Sequence, residues 1–146
     1  MNSLLRSQPS ITLQLAIQAM HQALEKAKDE QVQVSIAIVD AGGLQIHMAH
    51  MDGAPLHSRD IALNKALTAL SFGVPTRTWQ KRLENCSAAV RQGLPLQPKM
   101  ALFGGGEPLH AGNAVIGAIG ISGASEQVDS RCAEAAAKYV HSAIPQ

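Results

Sequence analysis

The chain has 146 residues, a formal net charge of +1 and 46% hydrophobic residues. This length suits a single domain over residues 1–146 that buries a core without disulfides. Aromatic residues make up only 3% of the chain and the basic residues form no long cluster, so the composition argues against a nucleic-acid-binding surface. Because no run of 18 apolar residues occurs, we expect a soluble, cytoplasmic protein that does not bind membranes.

The first predicted element is an amphipathic helix that follows a loose N-terminal lead-in, residues 1–9. Ser10 suits the N-cap of this helix, which we expect to run to about Lys28. Its apolar residues recur three and four positions apart, as on the buried face of a helix, at Leu13, Ala16, Ile17, Met20, Ala23, Leu24 and Ala27. His21 falls at the boundary of that face.

A β-hairpin is predicted next. Residues 34–39 are rich in β-branched side chains, residues 40–43 suit a tight turn, and residues 44–51 alternate apolar with polar side chains. A tight turn makes the two strands antiparallel. In the second strand, His47 and His50 are three residues apart, so they point to opposite faces and cannot both bind one metal ion.

Two helices are predicted after the hairpin. Ser58 suits the cap of a helix over residues 58–72, which Gly73 and the proline that follows it end. A second, more polar helix is predicted over about residues 76–89. Residues 92–99 contain two prolines and are predicted as a loop.

The glycine-rich stretch from Phe103 to Gly123 contains the predicted centre of the sheet. We expect short strands at residues 100–103 and 107–110, a central strand at 114–122 and a closing helix at about 126–143. Strands joined by hairpins, with helices set apart from them, indicate an α+β fold. The triple glycine leads into strand rather than helix, which excludes a dinucleotide-binding fingerprint.

Five short segments carry a family resemblance over about residues 11–142. They are Val39-Asp-Ala-Gly-Gly43, Met51-Asp-Gly-Ala54, the helix and turn from Asp60 to Thr76 with Lys65, Thr68 and Phe72, Phe103-Gly-Gly-Gly-Glu-Pro108, and Val115-Ile-Gly-Ala-Ile-Gly-Ile-Ser-Gly123. In this order they resemble the GlcG/HbpS-like family, which also supplies the C-terminal domain of PduO-type corrinoid adenosyltransferases.

The resemblance implies a profilin-like fold with a five-stranded antiparallel sheet and helices packed on it. It also implies homo-oligomers, from dimers up to octamers, and members that bind haem or lie beside corrinoid chemistry. We therefore expect a non-catalytic accessory protein that binds haem, a corrinoid or a related small ligand and is linked to glycolate or diol/glycerol utilisation. The alternative is a small-molecule enzyme, haem-degrading or cofactor-processing, with its site at the Gly104–Gly106 loop, where a buried acid–base pair would be expected.

The closing helix gives a second reason to expect self-association. It carries small residues at Ala133, Ala135, Ala136 and Ala137. Small side chains let helices approach closely, and a two-fold pair is the commonest symmetry of homo-oligomers. A homodimer or larger homo-oligomer is therefore expected.

A haem or corrinoid site needs an axial metal ligand, usually an imidazole, beside an apolar wall. Among the six histidines, His21 is the first choice for this ligand because its helical position is half apolar, and the resemblance implies a haem ligand on the first helix. The alternative is an ordinary boundary histidine. His57 and His110 follow as further choices, although each suits an ordinary loop position.

Two further groups could contact a cofactor. Gly104, Gly105 and Gly106, with Glu107, could present backbone amides to a carboxylate, or they could form a bulge between two strands. Lys65 shares a helix face with apolar neighbours and could pair with a haem propionate or another subunit, or extend its ammonium to the surface. No Ser-His-Asp arrangement or metal-ligand spacing such as HExxH can be assigned, so spacing alone indicates no catalytic residue.

Overall fold

The computed structural model describes residues 3–145, which form an antiparallel sheet with helices on both faces. The strands are β1 (Ser35–Asp40), β2 (Gln45–His50), β3 (Gly106–Ala111) and β4 (Ala114–Ser122). The helices are α1 (Leu13–Asp29), α2 (Ser58–Phe72), α3 (Trp79–Glu84), α4 (Ala88–Gly93) and α5 (Glu126–Ala143), with 3₁₀ turns at Thr76–Thr78 and Leu94–Leu96. The predicted α+β class is confirmed. None of the helices described is long and apolar enough to span a bilayer.

The strand order is β2-β1-β4-β3, with β4 in the interior as predicted. The expected fifth strand is wrong, because the part of the chain that the structure describes contains four strands. Residues 100–103, predicted as a strand, instead lie against α2. There the amide of Ala101 donates to Oγ1 of Thr68 at 3.0 Å, a bond that takes the place of pairing with a neighbouring strand.

The sheet has two helices packed on one face and one long helix packed on the other. α1 and α5 pack on one face, over a core that includes Ile36, Ile38, Ile119 and Ile121. α2 packs on the other face, where Ala66 and Ala69 meet Val39 and Ala118. The prediction that the first and last helices pack on the sheet is confirmed.

α2 lies unusually close to β4, and Gly120 is the reason. A Cβ at this position would collide with the carbonyl oxygen of Ala62 and lie 2.6 Å from the backbone nitrogen of Ala66. Only glycine has the space that this approach requires. The absence of a side chain at Gly120 therefore allows α2 to pack this closely on β4.

α1 begins later than predicted and buries a narrower face. Thr12 is the N-cap, and its Oγ1 accepts a bond from the amide of Leu15 at 3.2 Å. Oγ of Ser10, the predicted cap, instead accepts from the amide of Ala41 in the β1–β2 turn at 3.0 Å. Of the predicted buried positions, Leu13 and Ile17 are 53% and 40% exposed.

The β1–β2 hairpin forms as predicted, but a bulge breaks the side-chain alternation of β2. Oδ1 of Asp40 accepts bonds from two amides of the turn, which closes it. The register shifts between Ile38 and Val39, so Ile46 has no direct partner on β1. As a result Met48 lies opposite Ala37, whereas Ile46 and Ala49 both pack against the core beneath α1.

The predicted helix over residues 76–89 is confirmed only in part, because the segment divides into a 3₁₀ turn, α3 and the start of α4. Ser87 causes the second division, since its backbone is extended and its Oγ accepts from the amide of Val90 at 3.3 Å. It therefore starts a new helix. Residues 92–99 are predicted as a loop, but α4 and the 3₁₀ turn after it occupy residues 92–96.

α5 has the predicted bounds, with Ser125 as its N-cap. The role expected for its alanines is wrong for three of the four, however. Ala133, Ala136 and Ala137 are buried inside this chain against its own sheet and α1. They are used for packing within the subunit and give no reason to expect a second copy.

Candidate functional site

The predicted site residues lie in two separate places. His21 is exposed on α1, on the face of the sheet that α1 and α5 cover. Lys65 belongs to α2 on the other face, and it meets the Gly104–Gly106 loop at Gly105 and Gly106, just before the start of β3. The structure thus brings Lys65 together with the glycines but does not bring His21 to them.

The Gly104–Gly106 loop is closed by close packing. A Cβ on Gly104 would collide with Oγ of Ser130, and one on Gly105 would collide with the carbonyl of Ile121. The amide of Gly106 donates to Oγ1 of Thr76 at 2.8 Å. All three glycines are buried, and this amide is already bonded inside the protein.

Lys65 holds the loop from the α2 side. Its Nζ donates to the carbonyl of Ile121 at 2.8 Å and to Oδ2 of Asp129 at 3.1 Å, and it lies 4.9 Å from the ring centroid of Phe103. The side chain is 1% exposed, so the reading of Lys65 as a surface lysine is wrong. Burial lowers the pKa of Lys65, and the neighbouring carboxylate of Asp129 opposes this shift. The ammonium is bonded within the subunit.

Glu107 follows the glycines and points toward α5. It lies opposite Ile119 in the β3–β4 pair and is 7% exposed. Burial raises the pKa of Glu107 to about 7, although Arg77, whose Nε lies 3.4 Å from Oε1, opposes the shift. Nε of Arg77 also donates to Glu134 on α5 at 2.9 Å. A carboxyl that titrates near neutral pH can both donate and accept a proton.

A cavity of about 260 Å³ lies beside this carboxyl, lined by Arg77, Glu107, Glu134, Ala137, Lys138 and His141. Nε2 of His141 accepts from the amide of His110 at 3.0 Å. Nδ1 therefore carries the proton when the ring is neutral. Burial, followed by the nearby His110, lowers the pKa of His141. The cavity thus combines a titratable acid, two cations and a neutral imidazole.

Sequence reasoning found Glu107 but missed the residues around it. Arg77 and His141 are 30 or more positions away in the chain, so no spacing motif links them. The available signal was the period of β3, in which Glu107 shares a face with the buried Leu109. A charged residue on the core-facing side of a strand usually has a partner or a role.

His21 lies in a row with exposed apolar side chains. Leu13, Ile17 and His21 are four residues apart and therefore follow one flank of α1. α5 lies beside the opposite flank, where Lys26 borders the same pocket as Arg131 and Glu134 of α5. The row therefore faces away from α5.

The other histidines occupy distinct environments. His47 pairs with Ile38 and His50 with Ser35 on opposite faces of β2, as predicted. Nδ1 of His50 lies 2.6 Å from Oγ of Ser35. Among residues 3–145 no cluster of three or more His, Cys, Asp or Glu side chains could hold a metal ion.

Comparison with known proteins places the chain in a family. Residues 11–138 match the family model described as haem degrading protein HbpS-like. The chain is 34% identical to the corrinoid adenosyltransferase PduO of Citrobacter freundii over 85% of its own length, but it spans only 38% of that enzyme.

Two solved structures share the fold. HbpS of Streptomyces reticuli, solved as a double mutant, is 33% identical with a TM-score of 0.85, and the match covers 96% of this chain and 93% of HbpS. PduOC in complex with haem is 32% identical with a TM-score of 0.80, over 88% of this chain and 94% of PduOC. Since both the family model and the solved structures match nearly the whole chain, it belongs to the HbpS-like family.

Proposed function

We propose that the protein binds a tetrapyrrole, haem in the first instance, on the outer flank of α1, with His21 as the axial ligand. The observation that carries the proposal is the row of Leu13, Ile17 and His21, in which two exposed apolar side chains lead to an exposed imidazole. Covering a large aliphatic side chain is worth about 1.5–3 kcal/mol. Leu13 and Ile17 are already about half-buried, so a flat apolar ring along this flank would gain part of that energy from each while the imidazole reaches the metal.

The relatives support the same ligand. PduOC has been solved with haem, and the family model names haem in its description. The α1 flank also offers a cation for a propionate. Lys28 lies seven residues after His21, about 10 Å further along the helix axis, and its Nζ is only 3.4 Å from the exposed carboxylate of Glu25. A propionate can replace such an exposed pair at little cost.

Haem titration of the purified protein tests this proposal. The wild type should give a saturable, sharp Soret band, and His21→Ala should broaden or abolish it, because the ring then loses its nitrogen ligand. His57→Ala tests the next candidate in the same titration, since it removes another exposed imidazole, and it should leave the Soret band unchanged. An unchanged spectrum in His21→Ala would refute His21 as the ligand.

One flank of α1 covers only one side of a macrocycle. We therefore propose a homo-oligomer, a dimer or a larger assembly up to an octamer, in which a second copy covers the other side. Light scattering with and without haem measures this, and a monomer under both conditions would contradict it. Titration with cobalamin tests a corrinoid as ligand, in keeping with the PduO relative and with an accessory role in glycolate or diol/glycerol utilisation.

A second candidate is acid–base chemistry on a small molecule, and the Glu107 cavity favours it. The carboxyl has a pKa of about 7 and lies beside the closed glycine loop. The cavity volume of about 260 Å³ falls below the usual range of about 300–1,000 Å³ for ligand pockets, which suits a molecule much smaller than a tetrapyrrole. Because the cavity is too small for a tetrapyrrole, decay of the haem Soret band should proceed at the same rate in the wild type and in Glu107→Gln. A slower decay in Glu107→Gln would instead assign haem degradation to this cavity.

A further inference from the structure

The Glu107 cavity has a charge balance that depends on one proton. Arg77 and Glu134 form an ion pair at its wall, and Lys138 adds a second cation. His141 is neutral near pH 7, because burial lowers its pKa, and its Nε2 already accepts from the amide of His110. With Glu107 protonated the cavity therefore has an excess of one positive charge.

Within residues 3–145, Glu107 has a single charged partner at this site. Only 7% of the surface of Glu107 is exposed. Among the described residues, Arg77 is the one cation within ion-pair distance of its carboxyl group. That contact is long, at 3.4 Å between Nε and Oε1, because the same nitrogen donates at 2.9 Å to Glu134. Since the carboxyl borders the cavity, a ligand there can form a hydrogen bond with it.

We propose that this cavity binds a small organic acid whose carboxylate accepts a hydrogen bond from the protonated side chain of Glu107 and lies between the cations of Arg77 and Lys138. The planar guanidinium group of Arg77 matches a carboxylate in shape, and its bond to Glu134 uses Nε and not the terminal nitrogens. The volume of about 260 Å³ is enough for a small organic acid. A metal cation is disfavoured by the two positive side chains.

Binding of the acid is thereby coupled to uptake of a proton. The groups that face Glu107 are Arg77 from the 3₁₀ turn and Glu134 from α5, with Lys138 and His141 also lining the cavity and His110 behind His141. Burial raises the pKa of Glu107 to about 7, so its proton is exchanged within this pH range. Raising the pH from 6 to 8 removes most of its proton and leaves a carboxylate that repels the ligand. The affinity should therefore fall about tenfold across this interval.

The test is an NMR titration of the full chain with sodium acetate at pH 6 and pH 8, with sodium chloride matched for ionic strength. Saturable shifts of the amides of Arg77, Ala137 and His141 are expected, with about tenfold weaker binding at pH 8. Glu107→Gln, which keeps a donor at every pH, should bind equally well at both. Arg77→Gln should lose at least tenfold in affinity, whereas Arg82→Gln, an equal loss of charge outside the cavity, should bind like the wild type.

Three results would overturn the proposal. They are no saturable shift with acetate at pH 6, equal affinity of the wild type at both pH values, and equal weakening by Arg77→Gln and Arg82→Gln. A parallel titration with zinc chloride that saturates at the same amides while acetate does not would assign the cavity to a cation instead. Because the readout uses no haem, it is independent of the role proposed for His21.

Discussion

Nζ of Lys65 lies 3.1 Å from Oδ2 of Asp129, and both side chains are almost completely buried, at 1% and 2% exposure. The two residues are 64 positions apart and join α2 to the first turn of α5. Oδ1 of the same carboxylate accepts from the amide of Ala124, so one aspartate also organises the turn before α5. The pair closes the space around the glycine loop.

Breaking this pair should destabilise the fold strongly. Lys65→Met leaves the carboxylate of Asp129 buried without a cation, which costs about 3–5 kcal/mol. The double variant Lys65→Met/Asp129→Asn should lose less than the sum of the single variants, because no unpaired charge remains. Urea denaturation of the four proteins measures the coupling. Additive losses would show that the two side chains act independently.

Stability should depend on pH through Glu107. Its pKa is raised from 4.5 to about 7 on folding, so between these values the folded state holds more protons than the unfolded state. The free energy of unfolding should therefore fall as the pH rises from about 4.5 to about 7, by at most about 3 kcal/mol, and this contribution should be constant above. Urea midpoints at a series of pH values measure it.

In Glu107→Gln the free energy of unfolding should no longer fall between about pH 4.5 and pH 7. This variant should therefore be more stable than the wild type at pH 8. The exposed residue Glu84 supplies the matched control, because Glu84→Gln makes the same chemical change outside the core. Identical pH profiles of the wild type and Glu107→Gln would contradict the assignment to Glu107.

Alanine substitutions at two glycines should have opposite effects. Gly120→Ala places a methyl group against the carbonyl of Ala62 and should cost about 1–3 kcal/mol as α2 is pushed from the sheet. Gly93→Ala, in α4, meets nothing within 4 Å and should be neutral or stabilise by about 0.5–1 kcal/mol. Thermal unfolding of both variants measures the difference. A tolerated Gly120→Ala would mean that the close approach of α2 is not required.

The two cysteines should differ in reactivity. Cys132 is fully buried, and burial, together with Asp129, raises the pKa of its thiol to about 11. Cys86 is half-buried and borders the open pocket between α3 and α4. At pH 8, Ellman's reagent should therefore modify one thiol of the native protein and the second only in denaturant. Peptide mapping should identify Cys86 as the first, and early modification of Cys132 would contradict the burial.

The elements with strong local signals were predictable from the sequence. α5 has a serine cap and an unbroken apolar period, and its predicted bounds are the observed ones. The β1–β2 turn was predictable because Asp40 bonds to amides only two and four residues away. β4 was predictable as an interior strand because both of its faces are apolar.

The rest depends on contacts between distant parts of the chain. The burial of Lys65 could not be predicted from its position in a helix, because its partners, Asp129 and the carbonyl of Ile121, are more than 50 residues away in the chain. The cavity needs Arg77 and His141 to meet Glu107, and no local period contains that information. The predicted alternation of apolar and polar side chains along β2 was also wrong. A bulge depends on the pairing between two strands and cannot be predicted from one strand alone.

The two outer strands limit how copies of this chain can join. The bulge at Ile46 distorts β2, and Pro108 in β3 has no amide hydrogen to donate to an added strand. Neither border of the sheet offers an uninterrupted series of hydrogen-bonding groups. Copies of the protein are therefore expected to meet through side chains on helices and loops and not through a shared, continuous sheet, which also protects the chain against fibrous aggregation.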